Sequence, residues 1–273
     1  NISGAWNAHE EKFWQTLEPT LSNFTLKASY LLTADRGPAD VSNSLVIIQS
    51  YNPWRPFTNV KESGLLLKDV ENSALTYEKK HELNIGAEIG FIDNRINFAI
   101  DWYKRDNYDL IGLVNSAGTG VKITKFANVA SMKSHGVELT LSTKNIRTKD
   151  FSWNTDFIFS HAKNEVTDLQ SNARVIEMIT GTGFTMAGYP VRSLFSIDFQ
   201  GLNEYGLPTF INENGELTVS GLNFQKTMKK AHLVYEEPTD PTITGSFDNT
   251  FRYKGFNLNL SITCLLYTSP SPR

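Results

Sequence analysis

From His81 to Asn107 the chain alternates apolar and polar residues with period two, in two runs that meet at a tight polar turn. Leu83, Ile85, Ala87, Ile89 and Phe91 are separated by Asn84, Gly86, Glu88 and Gly90. After Asp93-Asn94 the pattern resumes, with Ile96, Phe98, Ile100 and Trp102 set against Asn97, Ala99, Asp101 and Tyr103. Successive side chains of a strand point to opposite faces, so this is a hairpin with one dry and one wet face. Each arm alternates for about ten residues or more. Globular strands average about 5–6 residues, whereas a strand that crosses a bilayer needs about 9–11. The length favours a transmembrane barrel over a sandwich.

The pattern returns along the chain. Phe24 to Leu32, Val137 to Thr143, Phe151 to Phe159, Phe247 to Tyr253 and Phe256 to Ile262 all alternate, and Asn1 to Trp6 is long enough only for the tail of another strand. Between them, the connections at 93–94, 144–150 and 254–255 are short. Those at 33–76, 107–134 and 164–243 are long and rich in turn residues such as Asp35-Arg36-Gly37-Pro38 and Asn52-Pro53. Short and long connections alternate. In an up-and-down barrel alternate connections share an end, so every short turn falls at one rim and every long loop at the other. That asymmetry belongs to outer-membrane barrels, with short periplasmic turns and long external loops. Phe91, Phe151, Trp153, Tyr253 and Phe256 gather beside the short turns, as an interfacial aromatic girdle does.

The expected fold is therefore all-β: an antiparallel transmembrane β-barrel, present in part. About seven full strands are legible, whereas bacterial barrels use an even number, eight or more, and tolerate no open edge in hydrocarbon. Leu83, Ile85, Ile89, Phe98, Ile100, Leu139, Leu141, Phe157, Phe159, Leu258 and Leu260 are predicted to face lipid. Glu82, Glu88, Asp101, Glu138, Asp156 and Asp248 are predicted to face the lumen. No apolar run approaches the roughly 18 residues of a transmembrane helix, which excludes a helical membrane protein but not a barrel, whose polar lumen residues dilute the mean hydropathy to −0.30. The 273 residues carry a net charge of −3 with no basic cluster, which argues against a nucleic-acid partner. The start, without Met or signal sequence, reads as that of an internal fragment.

No catalytic or metal motif survives inspection, and no cofactor is expected. His81-Glu82 opens like a zinc-protease helix, but position 85 is Ile85. His9, His135, His161 and His232 have no ligand spacing, and Cys264 stands alone. Gly118-Thr119-Gly120 and Gly181-Thr182-Gly183 lack the rest of a phosphate-binding fingerprint. Glu236-Glu237 and Asp240, beside Pro238 and Pro241, read as a solvated loop without the ligand spacing of a known calcium site.

Several stretches resemble the SusC/RagA family of TonB-dependent outer-membrane transporters. They include Leu75-Thr76-Tyr77-Glu78-Lys79, Glu82-Leu83-Asn84-Ile85-Gly86, Phe91-Ile92-Asp93-Asn94-Arg95-Ile96 and Asp101-Trp102-Tyr103-Lys104-Arg105. Asn128-Val129-Ala130 with His135-Gly136-Val137-Glu138-Leu139 follows, then Gly188-Tyr189-Pro190-Val191 with Ser193-Leu194-Phe195, and finally Tyr253-Lys254-Gly255-Phe256. Their order and spacing cover roughly residues 1–263. The resemblance implies a barrel of about 22 strands filled by an N-terminal plug. It also implies energy supplied through TonB, a SusD-like surface lipoprotein as partner, and uptake of oligosaccharides or peptides by Bacteroidetes. The residues present match the C-terminal barrel, with no plug or TonB box, so this stretch is not expected to transport alone. The chain leaves the family pattern after Thr263, and 264–273 reads as a non-native tail.

One group of residues is expected to touch substrate: Tyr51, Trp54, Arg55 and Phe57, in the long loop 33–76. Aromatic faces suit sugar rings, and a guanidinium suits carboxylates or peptide carbonyls. The rival for the whole chain is a soluble all-β carbohydrate-binding module. It uses the same alternation but requires the apolar faces to pack on one another.

Overall fold

The computed structural model describes residues 1–18, 20–37, 46–69, 72–115, 124–170, 175–179, 181–212, 214–220 and 233–266. β1 (Ile2–Asn7) and β2 (Leu21–Asp35) are joined by a connection with two 3-10 turns. β3 (Ile47–Tyr51) and β4 (Gly64–Asp69) form a separate hairpin. β5 (Glu78–Phe91), β6 (Ile96–Asn115), β7 (Thr124–Arg147) and β8 (Phe151–Leu169) are long. A single helical turn, α1 (Val175–Met178), follows. The long connection then holds β9 (Ser193–Ile197), β10 (Phe199–Leu202), β11 (Pro208–Ile211), β12 (Leu217–Thr218) and β13 (Leu233–Pro238). β14 (Ile243–Tyr253) and β15 (Phe256–Leu266) close the order.

Eight strands make one antiparallel sheet in the order β1-β2-β5-β6-β7-β8-β14-β15. The seven strands legible in the sequence gain β1 as the eighth. Each strand pairs with its neighbour along the wall, so the connections alternate ends as the loop lengths implied.

Ladder register sorts the side chains. Ile89, Phe98, Leu141, Phe157, Phe247 and Ile262 are successive cross-strand partners and share one face. All eleven residues predicted to face lipid fall on this face by strand parity, and all six carboxylates fall on the other. Apolar side chains stand open on the first face, and the polar face is mixed, with Glu82 buried but Glu88 and Glu138 exposed. Ile85 and Ile100, on interior strands, are 47% and 37% exposed, while Glu82 on the polar face is 7% exposed. A cavity of about 420 Å³ opens on the polar side, lined by Lys27, Ser29, Asn84 and Asp101 among others. An apolar face left bare on interior strands is the inverse of what a soluble module needs, and it matches a wall with lipid outside.

Polar residues on the apolar face are satisfied laterally. Asn249 accepts hydrogen bonds from the Trp153 indole at 2.9 Å and the Thr155 hydroxyl at 2.8 Å, and Asn145 donates to Thr155 at 2.7 Å. Trp153 stacks on Phe251 with centroids 5.5 Å apart, and Tyr253 pairs with both Phe151 and Phe256. The aromatics expected as a girdle thus share the outer face at the short-turn rim. On the inner face a glycine accommodates a ring. A Cβ on Gly136 would lie 2.6 Å from the Tyr103 ring and 2.6 Å from the His161 carbonyl. Close approach of this kind is a use of strand glycine.

Several boundaries differ from the sequence reading. Residues 107–134, expected to be irregular, are strand on both sides of 116–123, which lie outside the described residues. Beyond the bilayer a ladder continues without apolar alternation. Bulges between Asn107, Leu110 and Ile111, with Asp109 at φ 56°, also shift the parity that the reading relied on. The turn expected at 144–150 shrinks to 148–150, because β7 bulges between Lys144 and Ile146 and pairs on to Arg147. The turn at 93–94 widens to 92–95, with Ile92, Asp93 and Asn94 all at positive φ and Arg95 N–H bonded to the Phe91 carbonyl at 3.0 Å. β15 runs past Thr263, pairing Cys264, Leu265 and Leu266 with Gly245, Thr244 and Ile243.

Candidate functional site

Apart from the 3-10 turns before β2, the elements outside the wall collect at the long-loop rim, and side chains of the wall strands tie them down. Asn128, on β7, spans three segments. Its amide donates to the carbonyls of Thr76 at 2.9 Å and Asp109 at 2.6 Å, and its carbonyl accepts from Thr76 N–H at 2.7 Å. Glu78 accepts the Ile111 N–H at 2.8 Å, and Lys79 pairs with Asp109 at 2.7 Å. Asn164, on β8, accepts the Val191 N–H at 2.8 Å. Ser193 donates to the Pro190 carbonyl at 2.7 Å, and Arg192 meets Asp240 at 3.0 Å.

Above these anchors the long connection after β8 builds its own core. β13 pairs antiparallel with β9. Tyr189 lies 5.1 Å from Phe195 and 5.0 Å from Tyr235 between ring centroids, and Phe195 lies 5.9 Å from Tyr235. Val175 and Ser193 are fully buried, Val166 and Met178 nearly so, and Phe195 is 6% exposed. Burial raises the pKa of the Tyr235 phenol above its ordinary value, with the nearby Glu237 carboxylate adding to the effect.

The predicted contact residues sit on a different piece, the β3–β4 arm. Tyr51 ends β3 opposite Gly64. Trp54 bridges to Lys61, whose ammonium stands 5.0 Å over the indole. Arg55 pairs with Glu62 at 2.6 Å, and its N–H bonds to the Val60 carbonyl at 2.8 Å. Phe57, at φ 67°, stands at the tip and is fully exposed. The arm gathers the four residues on one hairpin but does not join them in a pocket: among the described residues Tyr51, Trp54 and Phe57 make no ring–ring contact. The Arg55–Glu62 pair is half-exposed on both sides, so it contributes little and leaves the guanidinium available.

The inward face of the wall is charged. Glu82 takes Arg105 at 3.1 Å, Lys80 at 2.5 Å and the Asn84 amide at 3.0 Å, and Arg105 lies 4.4 Å over the Tyr103 ring. Asp101 stands opposite Glu138, and Asp156 opposite Asp248. Among the described residues no cluster of His, Cys, Asp and Glu is placed to hold a metal ion.

A sheet with a bare apolar face, a charged opposite face and interfacial aromatics at the short-turn rim is the wall of a transmembrane β-barrel. The chain belongs to the TonB dependent receptor-like beta-barrel family, which it matches over residues 13–267. It is 26% identical to the TonB-dependent receptor SusC of Bacteroides thetaiotaomicron over 97% of its length, and 25% identical to TonB-dependent receptor P3 of Formosa agariphila over 94%. It spans 27% of the length of each. A chain of the RagAB peptide transporter has the same fold, with a TM-score of 0.75 at 21% identity, covering 96% of this chain and 28% of that one. The SusC/RagA resemblance read from the motifs stands, and the protein is an outer-membrane protein of a receptor and transporter family.

The anchoring residues Asn128 and Asn164 went unrecognised as positioning groups in the sequence. Asn128 carried a signal, since it opens the Asn128-Val129-Ala130 motif. Asn164 carried none, because its partner Val191 is distant along the chain.

Proposed function

We propose that the whole protein is a nutrient importer of the outer membrane, energised through TonB, that takes up oligosaccharides or peptides with a SusD-like lipoprotein at its outer face. One observation carries this reading. The wall turns its charged face inward and its apolar face outward, which suits a lumen through which polar cargo passes. The anchored loops stand at one rim, where cargo is first met, and 33–76, 107–134 and 164–243 emerge outside the cell. Tyr51, Trp54, Arg55 and Phe57 form an early contact for cargo on the β3–β4 arm. We propose no catalytic role.

Two measurements test this. A strain lacking the gene should fail to grow on oligosaccharides or on peptides as sole source, and normal growth on both would remove the importer reading. Replacing Tyr51, Trp54 and Phe57 by Ala in the intact transporter should weaken cargo binding by about tenfold or more, taking at least about 0.5 kcal/mol per ring. Unchanged affinity in a correctly inserted variant would remove the arm from the substrate path.

A further inference from the structure

The outer face changes character abruptly above the apolar belt. On β6 the outward residues run Ile96, Phe98, Ile100, Trp102 and then Lys104, and on β7 Leu139 and Val137 give way to His135. Register sets Lys104 opposite His135, and His135 opposite Lys163. Three nitrogen bases thus stand side by side across three strands with no carboxylate in the row. The next row up, His81-Asp106-Lys133-Glu165, mixes the two signs. The partner recorded for the lower row is Asp106, 3.7 Å from the Lys104 ammonium. Among the described residues His135 and Lys163 have none, and all three side chains are exposed.

We propose that the Lys104-His135-Lys163 row binds the phosphate of an anionic lipid headgroup in the leaflet at the long-loop rim. The row begins one outward position beyond the belt residues Trp102 and Val137, where headgroups meet the acyl region. Lysines there set their stems along apolar surface and their ammonium groups among headgroups. Side chains opposite on neighbouring strands have Cβ atoms about 4.5–5.5 Å apart, so the row can bracket one phosphate or two adjacent ones. The side of the membrane rests on the loops being external, as in the proposed function.

The test uses the intact transporter in phosphatidylcholine nanodiscs, alone or doped with bisphosphoryl lipid A. Acetylation of Lys104 and Lys163 should fall in the doped discs, and equal labelling overturns the proposal. Inorganic phosphate that protects both lysines as well as the lipid does would assign a free-anion site and also overturn it. The double variant Lys104→Gln/Lys163→Gln should retain about twenty-fivefold less of the phosphorylated lipid, at roughly fivefold per cation near an anionic surface. Lys104→Arg/Lys163→Arg should retain it, and full retention by the Gln variant overturns the proposal. Accessibility of the long loops to protease on intact cells is scored separately, so an error of sidedness is distinguishable from an absent site.

Discussion

The wall and the loop core above it bury their apolar residues in opposite senses. In the wall Ile85 is 47% exposed and Glu82 7%; in the loop core Phe195 is 6% exposed while Glu236 is left outside. Both regions are antiparallel β-structure from one chain. They differ in solvent. The wall meets lipid on its outer face, where apolar side chains need no protein cover, and every backbone group must be paired by its neighbours. The loop core stands in water and has to assemble an interior of its own from Tyr189, Phe195 and Tyr235. Within the sheet the two edge strands, β1 and β15, each pair on one side only, so the wall requires further strands to be complete in a bilayer. The loop core meets the wall at β8, where Val166 is 2% exposed and exchanges backbone hydrogen bonds with Gly188 and Tyr189.

The strongest way to break this comparison is a matched pair of substitutions. Phe195→Ala removes a buried ring and should cost the loop core about 3–5 kcal/mol, seen as protease cleavage within 181–212 on intact cells. The barrel should still insert and keep its heat-modifiable migration on gels. Leu139→Arg puts a charge on the lipid face at mid-belt and should cost about 2–4 kcal/mol, seen as loss of inserted protein. If Phe195→Ala also abolished insertion, the two regions would form one cooperative unit and the distinction would fall.

A smaller effect sharpens the boundary between them. Asn128→Ala leaves the backbone groups of Thr76 and the Asp109 carbonyl without their side-chain partner, at about 1–3 kcal/mol where water does not replace it. Faster hydrogen exchange at Thr76 is expected, with unchanged exchange at Leu139 and Leu141 on the same strand. Unaltered exchange at Thr76 would show that the loop end is held by other contacts.

The wall was readable in the sequence because one physical rule governs it. Period-two alternation survives wherever one face meets lipid, and it placed every residue from Leu83 to Leu260 named for the lipid face on one face of the sheet. It failed where the rule lapses. Past the belt, from Asn107 on β6 and before Ser134 on β7, both faces are wet, so strand and loop look alike in composition. Bulges at Asp109 and Asn145 add a residue and invert the parity. The loop core was invisible for another reason. Tyr189, Phe195 and Tyr235 are far apart along the chain and meet only through the β9–β13 pairing. The sequence reading placed Tyr51, Trp54, Arg55 and Phe57 in one long loop; it revealed neither the β3–β4 hairpin that carries them nor that Lys61 and Glu62 would engage two of them.

The mildest test separates the regions by pH alone. Burial raises the Tyr235 phenol above its ordinary value of 10.0, and the Glu237 carboxylate pushes the same way, since both disfavour the phenolate. A folded-state pKa above the unfolded one means that the folded loop core holds this proton more tightly. The stability this contributes is fully present below about pH 10 and is lost as pH rises through the folded value. Alkaline titration should therefore loosen the loop core before the wall, lowering near-ultraviolet dichroism while far-ultraviolet strand signal persists. Tyr235→Phe keeps the ring against Tyr189 and Phe195 and has no proton to lose, so it should flatten the alkaline dependence, with a pH-independent loss from the missing hydrogen bonds to Ser193 and Glu237. An identical alkaline transition in the Phe variant would assign the loosening to other groups, and simultaneous loss of both signals would join the loop core to the wall as a single folding unit.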